Sequence, residues 1–139
     1  NPMTDAILNS KISLARSRNI PVTIDAHIPV TLTTPEIDLC VIIGNLFDNA
    51  IEASLPLPPD QRMIRVYMDM KRNNQLYISF TNLTATGKQS KENGLFRTAK
   101  GEGHGFGLKR IDGVVERHGG YLSRNSEDGA FTTEVLLPQ

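Results

Sequence analysis

The chain lacks most of the features that would mark a specialised class. Its 139 residues include one cysteine, Cys40, and no tryptophan. A single thiol excludes an internal disulfide framework, and no CxxC pair or His/Cys cluster offers a zinc-binding set. Nowhere do 18 apolar residues run together, so no segment reads as a membrane span, and no signal peptide opens the chain. Neither sign of charge prevails: Lys plus Arg and Asp plus Glu number 15 each. That balance argues against a nucleic-acid surface. There are no internal repeats. At this length the chain reads as one domain, residues 1–139, able to bury a core of its own. It opens on Asn1 rather than Met, which reads as part of a longer protein.

Glycine, by contrast, is concentrated. Gly101, Gly103, Gly105 and Gly107 alternate in GEGHGFG. Without a Cβ, such a loop can turn several backbone N–H groups toward one point. Leu108, Ile111, Val114 and Val115 follow at helical spacing, and Gly119–Gly120 is a stop signal. A glycine-rich loop entering a helix favours an anion such as phosphate, through free first-turn N–H groups and the helix dipole. The same pattern also fits a surface loop before an ordinary amphipathic helix.

A second segment, PEIDLCVIIGNLFDNAIEAS at residues 35–54, reads as a helix with Thr34 as N-cap and Pro35 in the first turn. At about 100° per residue, Leu39, Cys40, Ile43, Leu46, Phe47, Ala50 and Ile51 fall on one broad face. Asn45, Asp48, Asn49 and Glu52 recur at i, i+3, i+4 and i+7 as a narrow polar stripe. This can be a solvated face. Yet Asn is a poor helix former, and solvated faces favour Lys, Glu, Gln and Arg. Two Asn four apart beside two carboxylates instead suggest oxygen ligands at a polar site, suited to a hard cation such as Mg2+ shared with phosphates.

The remaining pattern predicts helices over 4–18 and 106–118 and strands over 21–30, 62–71, 75–82, 120–125 and 130–137. Turn signals stand in RNNQ and SEDGA, and LPLPPD reads as a loop. Residues 83–103 have no periodicity. Strands in runs, with helices able to cover one face, argue for a two-layer α/β sandwich.

NLFDNAIEA resembles the N box of the GHKL ATPase superfamily, which includes histidine kinases, type II topoisomerase ATPase domains, heat-shock chaperones and mismatch-repair ATPases. GEGHGFGLKRIDGVVERHGGYLSRNSEDGAFTTEVLLP resembles the G2 box, closing helix and strands of sensor histidine kinases. The resemblance covers almost the whole chain. It implies the Bergerat ATP-binding fold, a mixed, mostly antiparallel sheet covered on one face by three helices. ATP would lie between the helices and a lid at about 83–103. It further implies Mg2+ on Asn49, with Asn45 and Asn49 as the catalytic pair. The implied nucleotide contacts are Asn45, Asp48, Asn49, Glu52, Asn82, Lys91, Lys100, Gly103, His104, Gly105, Phe106, Gly107 and Leu108. In the lid, Lys88 and Arg97 are further basic residues, and Leu95–Phe96 resembles the family's F box.

The resemblance departs from the family in one place. The acidic G1 box, DxGxG, is missing: the strand QLYISFTN runs into TNLTATG, with Asn82 where the family reads adenine through Asp. An Asn amide can both accept from the adenine amino group and donate to a ring nitrogen. As a residue at a strand end, Asn82 also suits a turn. A missing G1 box beside intact N and G2 boxes resembles the peptide-sensing, Agr-type quorum-sensing kinases. Asn45 stands where the hydrolytic relatives carry a water-activating Glu.

The resemblance therefore implies a kinase domain that donates the ATP γ-phosphoryl to a histidine on an upstream dimerisation hairpin absent from this chain. A degenerate scaffold or phosphotransferase module without ATP turnover, and a GHKL ATPase, remain alternatives. The implied partners are the upstream helices of a homodimer and a response regulator. The implied setting is the cytoplasmic part of a membrane-anchored receptor. His104 lies in the glycine loop, which offers backbone donors rather than an in-line nucleophile. His118 sits near a helix C-terminus, and His27 in a strand. Cys40 reads as a packed thiol.

Overall fold

The structure is a computed structural model that describes residues 2–85 and 102–139, with the backbone alone for 102–109. Helix α1 spans Pro2–Ser17 and ends where Asn19 takes a positive φ of 60°. Ile20 N–H then closes back on the Ala15 carbonyl, satisfying an end-of-helix acceptor as glycine usually does. Strand β1 follows at Val22–Ala26, then helix α2 at Glu36–Ser54 and a 3-10 turn at Pro59–Gln61. Next come β2 (Ile64–Lys71), β3 (Gln75–Leu83), helix α3 (Glu102–Arg117), β4 (Tyr121–Glu127) and β5 (Ala130–Pro138).

The five strands form one sheet in the order β1-β2-β3-β5-β4. β1 runs parallel to β2, with Val22 opposite Ile64, and every other pairing is antiparallel. One face is apolar. Ile64, Val66 and Met68 of β2, Leu76, Ile78 and Phe80 of β3, and Val135 and Leu137 of β5 are all buried there. Against them lie Leu39, Ile42, Ile43, Leu46, Phe47, Ala50 and Ile51 of α2 and Ile111, Val114 and Val115 of α3. Phe47 meets Phe80 edge to face, with centroids 5.2 Å apart at 78°, a favoured aromatic geometry. The opposite face is polar: Lys71 sits over the Tyr67 and Tyr77 rings, which bond to Asp69 and Glu134. The architecture is the two-layer α/β sandwich expected from the strand and helix pattern, with three helices and a mixed sheet among the described residues.

Several details depart from the sequence expectations. β1 stops at Ala26 rather than running to residue 30. His27 N–H still reaches the Met68 carbonyl at 2.8 Å, but Pro29 has no donor to continue the ladder. Thr34 is not the N-cap of α2: Pro35 occupies that position, and no side chain caps the helix. The Thr34 hydroxyl instead accepts from Gln139 Nε2 at 2.8 Å, and Gln139 Oε1 accepts from the Thr33 and Thr34 N–H groups. Ile42 is fully buried, whereas Cys40, placed on the apolar face by periodicity, is only partly so.

Both hairpins turn where expected. Asn73 and Asn74 adopt φ of 66° and 58° between β2 and β3, a region that Asn tolerates. Gly129 supplies φ 77° between β4 and β5. Arg62 fastens the chain after α2, donating to the carbonyls of Leu55, Leu57 and Arg18 at 2.9, 2.9 and 2.8 Å.

Candidate functional site

The polar stripe of α2 stays out of the core. Asn45 and Asn49 are half-buried, and Asp48 and Glu52 are exposed. Asn45 Nδ2 donates to the Val41 carbonyl at 2.7 Å. Only the NH2 end of an amide can donate to a carbonyl, so this bond fixes the side chain and leaves Oδ1 as the end available to a ligand. Asp48 is committed elsewhere: its Oδ1 takes a 2.7 Å ion pair from Lys11 Nζ on α1.

That pair is one rung of a regular contact between α1 and α2. Glu36 Oε2 accepts from the first-turn N–H groups of Met3 and Thr4 at 2.9 and 3.1 Å. Thr4 approaches Cys40, and Gly44 faces Ile7. Contacts that climb both helices together mean that α1 and α2 run parallel. Successive residues on α2 are turned about 100° apart, so Asp48 faces α1 while Asn49 faces the other flank.

That flank belongs to α3. Asp38 in the first turn of α2 bonds His118 Nε2 at 2.8 Å and lies 3.7 Å from Arg117 Nη2, both just at the C-terminal end of α3. Two helices that meet start to end can share a long contact, as these do, only by running antiparallel. Asn49 is eleven residues past Asp38, and Gly107 is eleven residues before His118. Both separations are about 16 Å of helix at 1.5 Å per residue. The glycine segment is therefore carried to the level of Asn49.

The boundary of α3 corrects the expectation that Gly103 and Gly105 form a loop ahead of a helix at 106. α3 begins at Glu102, so Gly103, Gly105 and Gly107 lie in its first two turns. Each glycine costs roughly 1 kcal/mol relative to Ala in a helix interior, and packing along α2 and the sheet supplies what propensity does not. With the helix starting at Glu102, the N–H groups of Gly103 and His104 lack intrahelical acceptors, whereas those from Phe106 onward bond four residues back, so the donors expected as far as Leu108 are confined to the first turn.

Asn82 is 3% exposed. It continues the inward row Leu76, Ile78, Phe80 on the helix-facing side of β3, between Ile64 and Phe131 on the neighbouring strands. It is thus a ladder residue rather than a turn residue. Its Nδ2 donates to the Leu83 carbonyl at 3.2 Å. A buried Asn at the end of a row otherwise apolar is costly unless bonded.

Lys88, Lys91, Leu95, Phe96, Arg97 and Lys100 lie outside the described residues, as do the side chains of His104, Phe106 and Leu108. His27 pairs with Asp25 at 2.7 Å on an exposed surface. Cys40 has its thiol pKa raised, mainly by burial, against the lowering effect of Thr4. Sequence reading missed Lys11, Asp38 and Arg124 as partners of the site helices. No local spacing signals them, because their partners lie 37, 80 and 12 residues away. Among the described residues no group of three His, Cys, Asp or Glu side chains could hold a metal ion, and no helix is long and apolar enough to cross a membrane.

The family model described as a GHKL domain matches residues 35–138. No curated protein matches the chain. Among solved structures, the nucleotide-free catalytic domain of histidine kinase ThkA is similar at TM-score 0.75 and 16% identity, over 99% of this chain and 92% of that one. The mycobacterial sensor histidine kinase MprB gives TM-score 0.71 and 21% identity, over 96% and 94%. Full-length ShkA in complex with AMPPNP gives 0.76 and 15%, with 99% of this chain covering 29% of that one. At these identities the likeness is one of fold.

Proposed function

Because the chain belongs to the GHKL domain family, we propose that it is the ATP-binding catalytic domain of a sensor histidine kinase. It donates the γ-phosphoryl of Mg2+-ATP to a histidine on an upstream helical hairpin absent from this chain. The observation that supports the reading is the antiparallel seat of α3 on α2, which carries the glycine-bearing turns to the level of Asn49.

The residues fit the nucleotide. Asn49 and the outward oxygen of Asn45 are hard, neutral donors of the kind Mg2+ shares with phosphates. Asn82, with its NH2 engaged by Leu83, keeps its carbonyl oxygen to accept from an exocyclic amine, in the place of the missing acidic G1 residue. The free first-turn N–H groups of α3, at Gly103 and His104, would receive phosphate oxygens, with Gly105, Phe106, Gly107 and Leu108 flanking them. Lys91 and Lys100 add positive charge from the lid segment. Glu52 borders the metal side one turn past Asp48, whereas Asp48, turned to α1, acts by holding that helix through Lys11. Bound Mg2+ supplies charge neutralisation at the phosphate oxygens.

Phosphoryl transfer asks the protein mainly for positioning and electrostatics. Asn45, fixed to Val41, orients rather than deprotonates, so water attack is slow and transfer to a protein histidine is the favoured outcome. The whole protein would then be a homodimeric, membrane-anchored receptor whose cytoplasmic part phosphorylates a response regulator.

The test combines calorimetry with labelling. Mg2+-ATP should bind the parent, and Asn49→Ala should weaken binding at least tenfold with an unchanged melting temperature. Radiolabelled ATP should leave this chain unlabelled, and a longer chain carrying the upstream hairpin should gain acid-labile, alkali-stable phosphate. Absence of nucleotide binding by either chain would instead support a scaffold that has kept the fold and lost the nucleotide, the reading favoured by the missing DxGxG pattern. Label on this chain that disappears in His104→Gln would make His104 the acceptor.

A further inference from the structure

β4 is an edge strand, and Arg124 on it points inward, toward α3. Its cross-strand neighbour Thr133 is buried, and its own side chain is 19% exposed. One end of the guanidinium is satisfied: Nη2 donates to Asp112 Oδ1 on α3 at 2.9 Å. The other side is not. Arg124 Nε is shut off from solvent and has no hydrogen-bond partner, alone in this respect among buried side-chain N and O atoms of the described residues. Asp112, meanwhile, is half-exposed and uses a single oxygen in this contact. An Arg–carboxylate pair ordinarily closes as a fork, with two parallel N–H···O bonds. Here half of the fork is made.

The position of this half-made pair gives it meaning. The C-terminal end of α3 is tied by His118 and Arg117 to Asp38 and by the turn through Gly119 and Gly120. Its middle is held by the apolar contacts of Ile111, Val114 and Val115. Arg124–Asp112 is, among the described residues, the polar tie to the sheet that stands closest to the glycine-bearing turns: Asp112 lies five residues past Gly107, about 7.5 Å along the helix.

We propose that Arg124 is a positioning residue that acts through Asp112 on α3, and that nucleotide binding selects the seat of α3 in which the fork is complete. The inference rests on the nucleotide reading above. Burying an Arg with one N–H unsatisfied is unfavourable. Part of the binding free energy is then recovered when the second bond forms, so the residue couples the seat of the glycine turns to occupancy of the site without touching the ligand. Lys cannot reproduce this, since its ammonium has no planar fork.

The experiment uses the full chain with AMPPNP and Mg2+ as the probe. In a 1H–15N spectrum selective for Arg side chains, the Arg124 Nε–H signal, assigned by its loss in Arg124→Lys, should move downfield and exchange more slowly with water when the probe is added. Calorimetry should show roughly five- to tenfold weaker binding for Arg124→Lys and for Asp112→Asn, with melting temperatures close to the parent. Arg124→Met removes the unsatisfied N–H altogether; it should melt no lower than the parent and still bind more weakly. An unmoved Nε–H signal, or parental affinity in all three variants, overturns the proposal while leaving the nucleotide reading intact. A parent chain that binds no AMPPNP overturns both.

Discussion

The junction between α3 and β4 sets up a sharp comparison between three glycines. A methyl group added at Gly120 would stand 2.5 Å from the Leu136 carbonyl oxygen, 3.0 Å from Leu137 Cδ2 and 3.1 Å from Val115 Cγ1. The first of these is backbone within the β4–β5 ladder, where Leu136 is paired with Tyr121, and it has little room to retreat. Gly120 N–H is also tied to the Val115 carbonyl at 2.8 Å, so the turn cannot swing away without losing its closing bond. Overpacking of this kind costs typically 1–3 kcal/mol, and the backbone contact puts Gly120→Ala near about 3 kcal/mol. Gly119 has open space around it but a φ of 68°, so Gly119→Ala costs about 1–2 kcal/mol for a left-handed residue with a Cβ. Gly113, inside α3, has no atom within 4 Å of the added methyl, and Gly113→Ala should gain about 1 kcal/mol from helix propensity. For a chain of this size 1 kcal/mol is worth roughly 3–4 °C in Tm. Calorimetric melts should therefore rank the variants Gly113→Ala, parent, Gly119→Ala, Gly120→Ala, with the extremes some 12–16 °C apart by the same scaling. A Gly120→Ala protein melting within about 2 °C of the parent would show that this turn relaxes freely, and the packing argument for α3 would fail.

Three further outcomes follow from the same contacts. Phe47→Ala removes the ring that meets Phe80 beneath the site and should cost about 3–5 kcal/mol in denaturant unfolding; a loss below about 1 kcal/mol would mean that the site floor is not packed as described. Gly105→Ala and Gly107→Ala should weaken Mg2+-ATP binding, because a Cβ obstructs backbone approach to phosphate, while favouring helix by about 1 kcal/mol each; weaker binding with lowered stability would point to misfolding instead. Cys40, its thiol pKa raised mainly by burial, should react with a thiol-modifying disulfide at pH 8 far more slowly than a free peptide thiol and at the same rate once unfolded. Equal rates in the folded state would contradict its burial against Thr4.

The sequence by itself determined the kind of each element and which side it buries, because those depend on periods of 2 and 3.6 carried by consecutive residues. The alternation in β3 placed Leu76, Ile78 and Phe80 inward, and the stripe on α2 kept Asn45 and Asn49 out of the core. The turn residues marked both hairpins. The two motif segments also gave the family before any contact was known. Boundaries were less legible. α3 starts at Glu102 despite its glycines, since contact with α2 outweighs poor propensity, and β1 ends early at the approach to Pro29.

What only the tertiary structure decided is who meets whom. That β5 inserts between β3 and β4, and that β1 joins in parallel, follow from closing the apolar face rather than from any local pattern. Lys11 on Asp48, His118 on Asp38, Gln139 on the start of α2 and the half-made Arg124–Asp112 fork join residues far apart in the chain. Charged and amide side chains of this kind look alike in a sequence. They acquire distinct roles only when packing of the apolar faces fixes the distance and dielectric between them. For that reason antiparallel packing of α2 and α3 brings Asn49 and the glycine turns, distant in the chain, to the same level.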